Sequence, residues 1–148
     1  MRATAQAAAR SAPVPIRVVD GLADALPAGD GEFDAAVTAL VLCTVPDQQV
    51  ALAEIRRVLR PGGQVRFLEH VRADQPGALR RAQKIADATV WPLLLGGCRT
   101  SRDTVAAITA AGFALDCLDR FSFPPNGPAS PASPHVRGAA TLPVGGTP

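Results

Sequence analysis

The stretch FDAAVTALVLCTVPDQQVALAEIRRVLRPGGQVRFLEH, from Phe33 to His70, does most to restrict the fold. Phe33 to Cys43 is apolar on both faces apart from Asp34 and Thr38, the pattern of a parallel strand covered on two sides. Pro46 makes a turn and Asp47 a helix N-cap. Val50, Leu52, Ala53, Ile55, Val58 and Leu59 then recur at helical spacing, while Gln48, Gln49, Glu54, Arg56, Arg57 and Arg60 take the outer face. The arginines cluster in the last turns, where cations complement the helix dipole, and Pro61-Gly62-Gly63 stops the helix. Gln64 to Val71 reads as a second strand. Two strands joined through one helix lie parallel, so their C-terminal ends meet at one edge of the sheet, where open α/β sheets bind ligands. That edge receives Leu42, Cys43 and Thr44 from the first strand and Glu69 and His70 from the second.

The 148 residues, 47% hydrophobic and 19% charged, suit one domain with a buried core. A formal charge of +2, with Lys84 the only lysine, leaves no polycationic footprint, so nucleic acid is not an expected partner. Cys43, Cys98 and Cys117 are odd in number and share no CxxC or Cys/His ligand spacing. They read as reduced, mostly buried thiols with no metal site, which implies a cytoplasmic setting. No apolar run approaches the roughly 18 to 20 residues of a transmembrane segment, and the alanine-rich N-terminus lacks the apolar core of a signal peptide.

Around the central unit, Met1 to Arg10 has good helix propensity and ends before Pro13. Ile16 to Val19 is a short β-branched run that predicts a buried parallel strand, and Gly29-Asp30-Gly31 is turn chemistry. Pro76 to Val90 carries Leu79, Ala82, Ile85, Ala86 and Val90 at helical spacing. Trp91 to Gly97 is an apolar patch ending in a flexible joint, suited to packing under a loop or walling a pocket. Thr100 or Ser101 caps a further helix that ends at Gly112. Phe113 to Phe123 alternates as a strand, Pro124 to Pro134 is a loop, and His135 to Thr141 predicts a partner strand in a hairpin. The domain is expected over 1–141, with 142–148 as a disordered tail.

LADALP, GEFDAAVTALVLCTVPD, EIRRVLRPGG and a strand ending FLEH follow one another in an order that resembles the later part of class I S-adenosylmethionine-dependent methyltransferases of the small-molecule type. LVLCTVPD, FLEHVRA, GGCRTSRDT, AGF and PHVRGAA are similar to the subgroup of membrane-associated thiol methyltransferases. The resemblance runs from about Arg10 to Ala140. It implies an α/β fold with a Rossmann-like methyltransferase sheet, mostly parallel and closed by a C-terminal antiparallel hairpin. It implies S-adenosylmethionine as cofactor and a small-molecule acceptor.

By the same resemblance, Gly21, Leu22, Ala23 and Asp24 form the loop that contacts the cofactor's adenine, and Leu42 and Cys43 pass beneath its methionine part. The family's glycine-rich loop and the acidic residue that holds the ribose have no counterpart here. The resemblance thus implies a sheet lacking the family's first two strands, a truncated or late-called start and impaired activity. It also leaves the Phe33 strand unpaired on one side, an edge open to self-association. In one arrangement, Ile16 to Val19 moves in to pair with that edge.

His70 and Glu69 are the candidate catalytic residues. Imidazole accepts a proton at neutral pH, so His70 suits a general base for a thiol or hydroxyl acceptor, against a backbone-bonding role at a strand end. Glu69 weighs between chemistry and a structural role, pairing with a neighbouring arginine or capping the next turn. Cys98 weighs between a reactive and a packed thiol, and Arg99 and Arg102 between an acidic substrate and solvated surface charge. The functional reading is methyl transfer from S-adenosylmethionine. The alternatives are a non-catalytic remnant of the fold that acts as a binding or interaction module, and an α/β nucleotide-binding oxidoreductase, whose glycine fingerprint is missing.

Overall fold

The computed structural model describes residues 2–145. Among the described residues, five helices and four strands follow in the order α1 (Arg2–Arg10), β1 (Phe33–Ala39), α2 (Gln48–Val58), β2 (Leu59–His70), α3 (Ala78–Asp87), α4 (Trp91–Leu94), α5 (Thr104–Ala110), β3 (Ala114–Ser122) and β4 (Pro134–Thr141). The strands form one sheet, ordered β1-β2-β4-β3. β1 lies parallel to β2, and β4 runs antiparallel to both β2 and β3. The α/β architecture and the C-terminal hairpin are those expected.

The sheet is mixed, with one parallel pair and two antiparallel ones. Ile16 to Val19, expected as a further parallel strand, pairs with nothing among the described residues, and Ile16 stays 53% exposed. Four residues between Pro15, which has no N–H to donate, and the Asp20-Gly21 turn give too few ladder bonds to hold such a strand without a neighbour. β1 is accordingly an edge strand. Its expected two-sided cover is not realised: Thr38 is its buried residue, while Val37 is 75% exposed.

Asp47 caps α2 by accepting the backbone N–H groups of Gln49 and Val50 at 2.7 and 3.3 Å. The helix buries Ala51, Leu52, Ile55 and Val58 against the sheet, whereas Val50 and Ala53 face outward. It stops at Val58, because Leu59 turns extended and pairs with Phe33. Arg60 to Gly63 then loop out before Gln64 pairs with Ala35, a detour that Gly62 makes possible at φ +80°. β2 alternates inward Val65, Phe67 and Glu69 with outward Arg66 and Leu68. Val65, Phe67, Ile108, Phe113, Val136 and Ala140 join Ala51, Leu52 and Ile55 of α2 in one core between the sheet and α2 and α5.

Asp103 caps α5, accepting from the N–H of Ala106. Thr100 and Ser101, the expected caps, instead donate through backbone and hydroxyl to the carboxylate of Asp87 on α3. The helical face expected on α3 is displaced as well. Gln83 and Ala86 are its buried residues, and Ile85 is exposed. Of the expected tail, Leu142 packs in the core and bonds Gly62 and Gly63 through its backbone. Residues 146–148 lie outside the described residues.

Candidate active site

The parallel pair carries the C-terminal ends of β1 and β2 to one edge, and the chain leaves β1 there in a tight turn. Leu40, still bonded through its N–H to Leu68 O, adopts φ +55°, a left-handed conformation uncommon outside glycine. The reversal aims the N–H groups of Val41 and Cys43 at the buried carboxylate of Glu69, each at 3.2 Å. Both Glu69 oxygens are thus engaged by backbone, which ties the turn to the end of β2.

Arg102 fixes the turn from its other side, its guanidinium donating to Leu42 O, Val45 O and Pro46 O at 2.8, 2.6 and 3.1 Å. Burial, and then the charge of Arg99, lower the Arg102 pKa. The acidic-substrate reading of Arg102 is therefore set aside, because three carbonyls occupy its donors. Gln48 Nε2 also donates to Leu42 O, and the N–H of Arg99 donates to Cys43 O.

Leu42 and Cys43 have no exposed surface. Leu42 O and both backbone groups of Cys43 are engaged inside the chain as well, so these two residues hold the turn.

His70 ends β2 beside this turn. Its Nδ1 lies 3.5 Å from Cys43 Sγ and 3.4 Å from Cys98 Sγ, and the three atoms are all within 4.8 Å of one another. The ring packs on His135, its partner across the ladder, with centroids 4.5 Å apart, and His135 stacks in turn on Phe121. Cys98 reaches the cluster on the loop after α4. Gly97 lets that loop close: it sits at φ +90°, and a Cβ there would lie 2.9 Å from Thr44 O.

The proximity of the Cys43 and Cys98 thiols drives them apart in acidity. It holds Cys98 down at about 5, with His70 and Trp91 helping, whereas it joins burial and the Glu69 charge in pushing Cys43 up. Cysteine spacing gave no hint of this cluster, because its members come from three separate elements. Cys117, on β3, is exposed and takes no part.

A second feature lies on the same turn. Leu22, Ala23 and Asp24, together with Val45, Pro46, Asp47, Val50 and Ala51, line a cavity of about 230 Å³. A reverse turn shapes its lip, with Ala25 N–H bonded to Leu22 O at 3.1 Å. Gly21, expected with these residues, does not line the cavity; its place is structural, since a Cβ would meet Pro27 Cδ at 2.7 Å. Glu54 and Arg57 hold the loop onto α2. Glu54 accepts the N–H of Leu26 at 2.9 Å, while Arg57 bonds Leu26 O, Ala28 O and the Asp30 carboxylate.

A family model described as a methyltransferase domain matches residues 1–67. The human thiol S-methyltransferase TMT1A is 39% identical over 95 residues, which cover 64% of this chain and 38% of that protein. Human thiol S-methyltransferase TMT1B is 36% identical over 111 residues, covering 75% of this chain and 44% of that one. The chain belongs to the class I S-adenosylmethionine-dependent methyltransferases.

It spans less than half the length of those two relatives. The fold agrees: a SAM-dependent methyltransferase from Methanosarcina mazei superposes with a TM-score of 0.69 at 18% identity, over 97% of this chain and 78% of that one. S-adenosylmethionine is the family's cofactor. In this chain Leu22, Ala23 and Asp24 are brought together on a cavity, and the candidate catalytic His70 is brought onto two thiols. No helix among the described residues is long and apolar enough to cross a membrane.

Proposed function

We propose that this chain takes part in methyl transfer from S-adenosylmethionine to a small-molecule thiol. The observation that carries the reading is the cavity between the 22–24 turn and the start of α2, at the ligand edge of the sheet. Its volume is below that of a pocket for a whole cofactor and suits a single ring system. Leu22 and Val50 offer apolar walls to a planar base, and the backbone of the 22–25 turn offers polar groups at its rim. Bound cofactor supplies a methyl group activated on a sulfonium.

The chain's own residues orient the reaction. Glu69 and Arg102 fix the turn between cavity and cluster, and His70 stands where an acceptor's proton would be taken up. Much of such a rate enhancement comes from alignment, for which a fixed turn matters more than a strong base. A thiol acceptor is favoured by the likeness to TMT1A and TMT1B. The unpaired outer edge of β1 supports self-association as part of the same reading, and Val37→Lys is expected to reduce it in sedimentation at rising concentration.

The deciding experiment is calorimetric titration with S-adenosylmethionine or its demethylated product. Binding that Val50→Arg abolishes without lowering Tm supports the reading. Absence of heat and of any thermal shift at millimolar ligand overturns it.

A further inference from the structure

We propose that Cys43, His70 and Cys98 form a binding site for a soft divalent cation, with Zn²⁺ the ion their chemistry selects. The donor set is two thiolate sulfurs and one imidazole nitrogen, a combination that suits zinc and is poor for magnesium or calcium.

The sulfur-to-nitrogen separations match those of tetrahedral zinc. Tetrahedral zinc with Zn–S of about 2.3 Å and Zn–N of about 2.0–2.1 Å places S and N about 3.6 Å apart and the two sulfurs about 3.8 Å apart. The Sγ to Nδ1 separations are 3.5 and 3.4 Å. All three donor atoms fall within 4.8 Å of one another.

The surroundings are built to hold these donors. Cys43 is fixed by Glu69 through its N–H and by Arg99 through its carbonyl. The segment following Cys98 is pinned by Asp87, which accepts from Thr100 and Ser101, and by Gln83, which donates to Thr100 O at 3.0 Å. His135 packs on the His70 ring and restricts its rotation. The indole N–H of Trp91 is buried without a hydrogen-bond partner among the described residues.

Three protein ligands leave one tetrahedral position for water or for an acceptor thiol, bound as thiolate with its proton released to solvent. That last role rests on the function proposed above and would pass proton removal from His70 to the cation. The site itself does not depend on it.

The test uses the full chain, reduced and stripped with a chelator, titrated with Co²⁺ and then with Zn²⁺. The expected result is one equivalent of Co²⁺ giving near-ultraviolet thiolate charge transfer and the intense visible bands of tetrahedral cobalt, both erased by Zn²⁺. Cys43→Ser, Cys98→Ser and His70→Gln are each expected to weaken binding at least tenfold, and Cys117→Ser to leave it unchanged. Circular dichroism identifies any variant that fails to fold, and the other two variants then carry the comparison.

The proposal is overturned by weak octahedral cobalt bands, by binding that Cys98→Ser and His70→Gln leave intact, or by a Cys43–Cys98 disulfide that persists under reductant. None of these readouts uses methyl transfer, so the site can fail while the function stands, and the reverse.

Discussion

The carboxylate of Glu69 accepts the backbone N–H of Cys43 at 3.2 Å, across 26 residues of chain. Its other oxygen accepts Val41 N–H, so the side chain at the end of β2 completes the hydrogen bonding of a turn that leaves β1. Replacing Glu69 by Gln leaves one of those amides facing an NH₂ group. A buried donor without an acceptor, together with the loss of a charge-assisted bond, costs about 2–3 kcal/mol. Urea denaturation at neutral pH is expected to show that loss, and cofactor affinity to fall with it. Unchanged stability with abolished activity would instead make Glu69 a chemical participant.

Cys98 is expected to be a thiolate at neutral pH in chelator-treated protein. Its pKa is lowered to about 5 by the neighbouring Cys43 thiol and then by His70, so its charge persists well below the ordinary thiol range near 8.5 and disappears as pH falls through about 5. Cys43 moves the opposite way and stays protonated through neutrality. Thiolate ultraviolet absorbance followed over pH should show one low step, removed by Cys98→Ser and retained in Cys117→Ser. A first step only in the ordinary range would contradict the mutual influence of the two thiols.

The elements that sequence revealed were those whose periodicity and punctuation agree. Asp47, the apolar spacing to Val58 and the Pro61-Gly62-Gly63 stop located α2 to within a residue or two, and the alternation from Phe113 located β3. The β1 reading failed on burial, since an apolar run does not tell whether neighbours exist to cover it. At the site, Leu22, Ala23 and Asp24, singled out by resemblance, lie together on a cavity, and strand order placed Cys43 beside His70. The polar residues that position the site were not legible. Arg102 looked like surface charge because its three carbonyl acceptors lie about 60 residues away in sequence, at 42–46. Cys98 looked isolated for the same reason: it is brought to His70 by the packing of α3, α4 and their loops, which no local spacing encodes.

Gln83 is the clearest structural residue that pattern reading passes over. It is fully buried on α3 and accepts from Ala73 N–H at 2.8 Å while donating to Val71 O, Thr100 O and Pro131 O at 3.0 Å each. It therefore joins the end of β2, the segment following Cys98 and the loop before β4. Gln83→Leu conserves much of the volume but leaves those backbone groups without partners, and a loss of about 2–4 kcal/mol is expected from the unmet donor and acceptors. Thermal unfolding checks it. Faster amide hydrogen exchange at Ala73 in the variant would locate the effect, and an unchanged Tm would show that water replaces the side chain.

Glu54 sets an acid limit on the loop that carries Leu22 to Asp24. The Arg57 guanidinium, and then the Leu26 N–H, hold its carboxyl at about 2, well below the usual glutamate value near 4.3. A group whose pKa is depressed by folding contributes stability above its unfolded value, and that contribution is lost as pH falls toward the folded one. Between about pH 4.3 and 2 the wild-type chain should therefore lose stability with a slope that Glu54→Gln flattens, and the variant should be the less stable of the two at pH 6. Because Leu26 N–H loses its carboxylate acceptor, the 22–27 loop should loosen and S-adenosylmethionine should bind more weakly at pH 6, where wild type is fully ionised. Urea midpoints at pH 6 and 3, paired with calorimetric titration at pH 6, separate the two effects. A variant with the same acid slope as wild type would show that Glu54 and Arg57 are not paired in solution, and weakened binding with no change in slope would place the loop's anchor elsewhere.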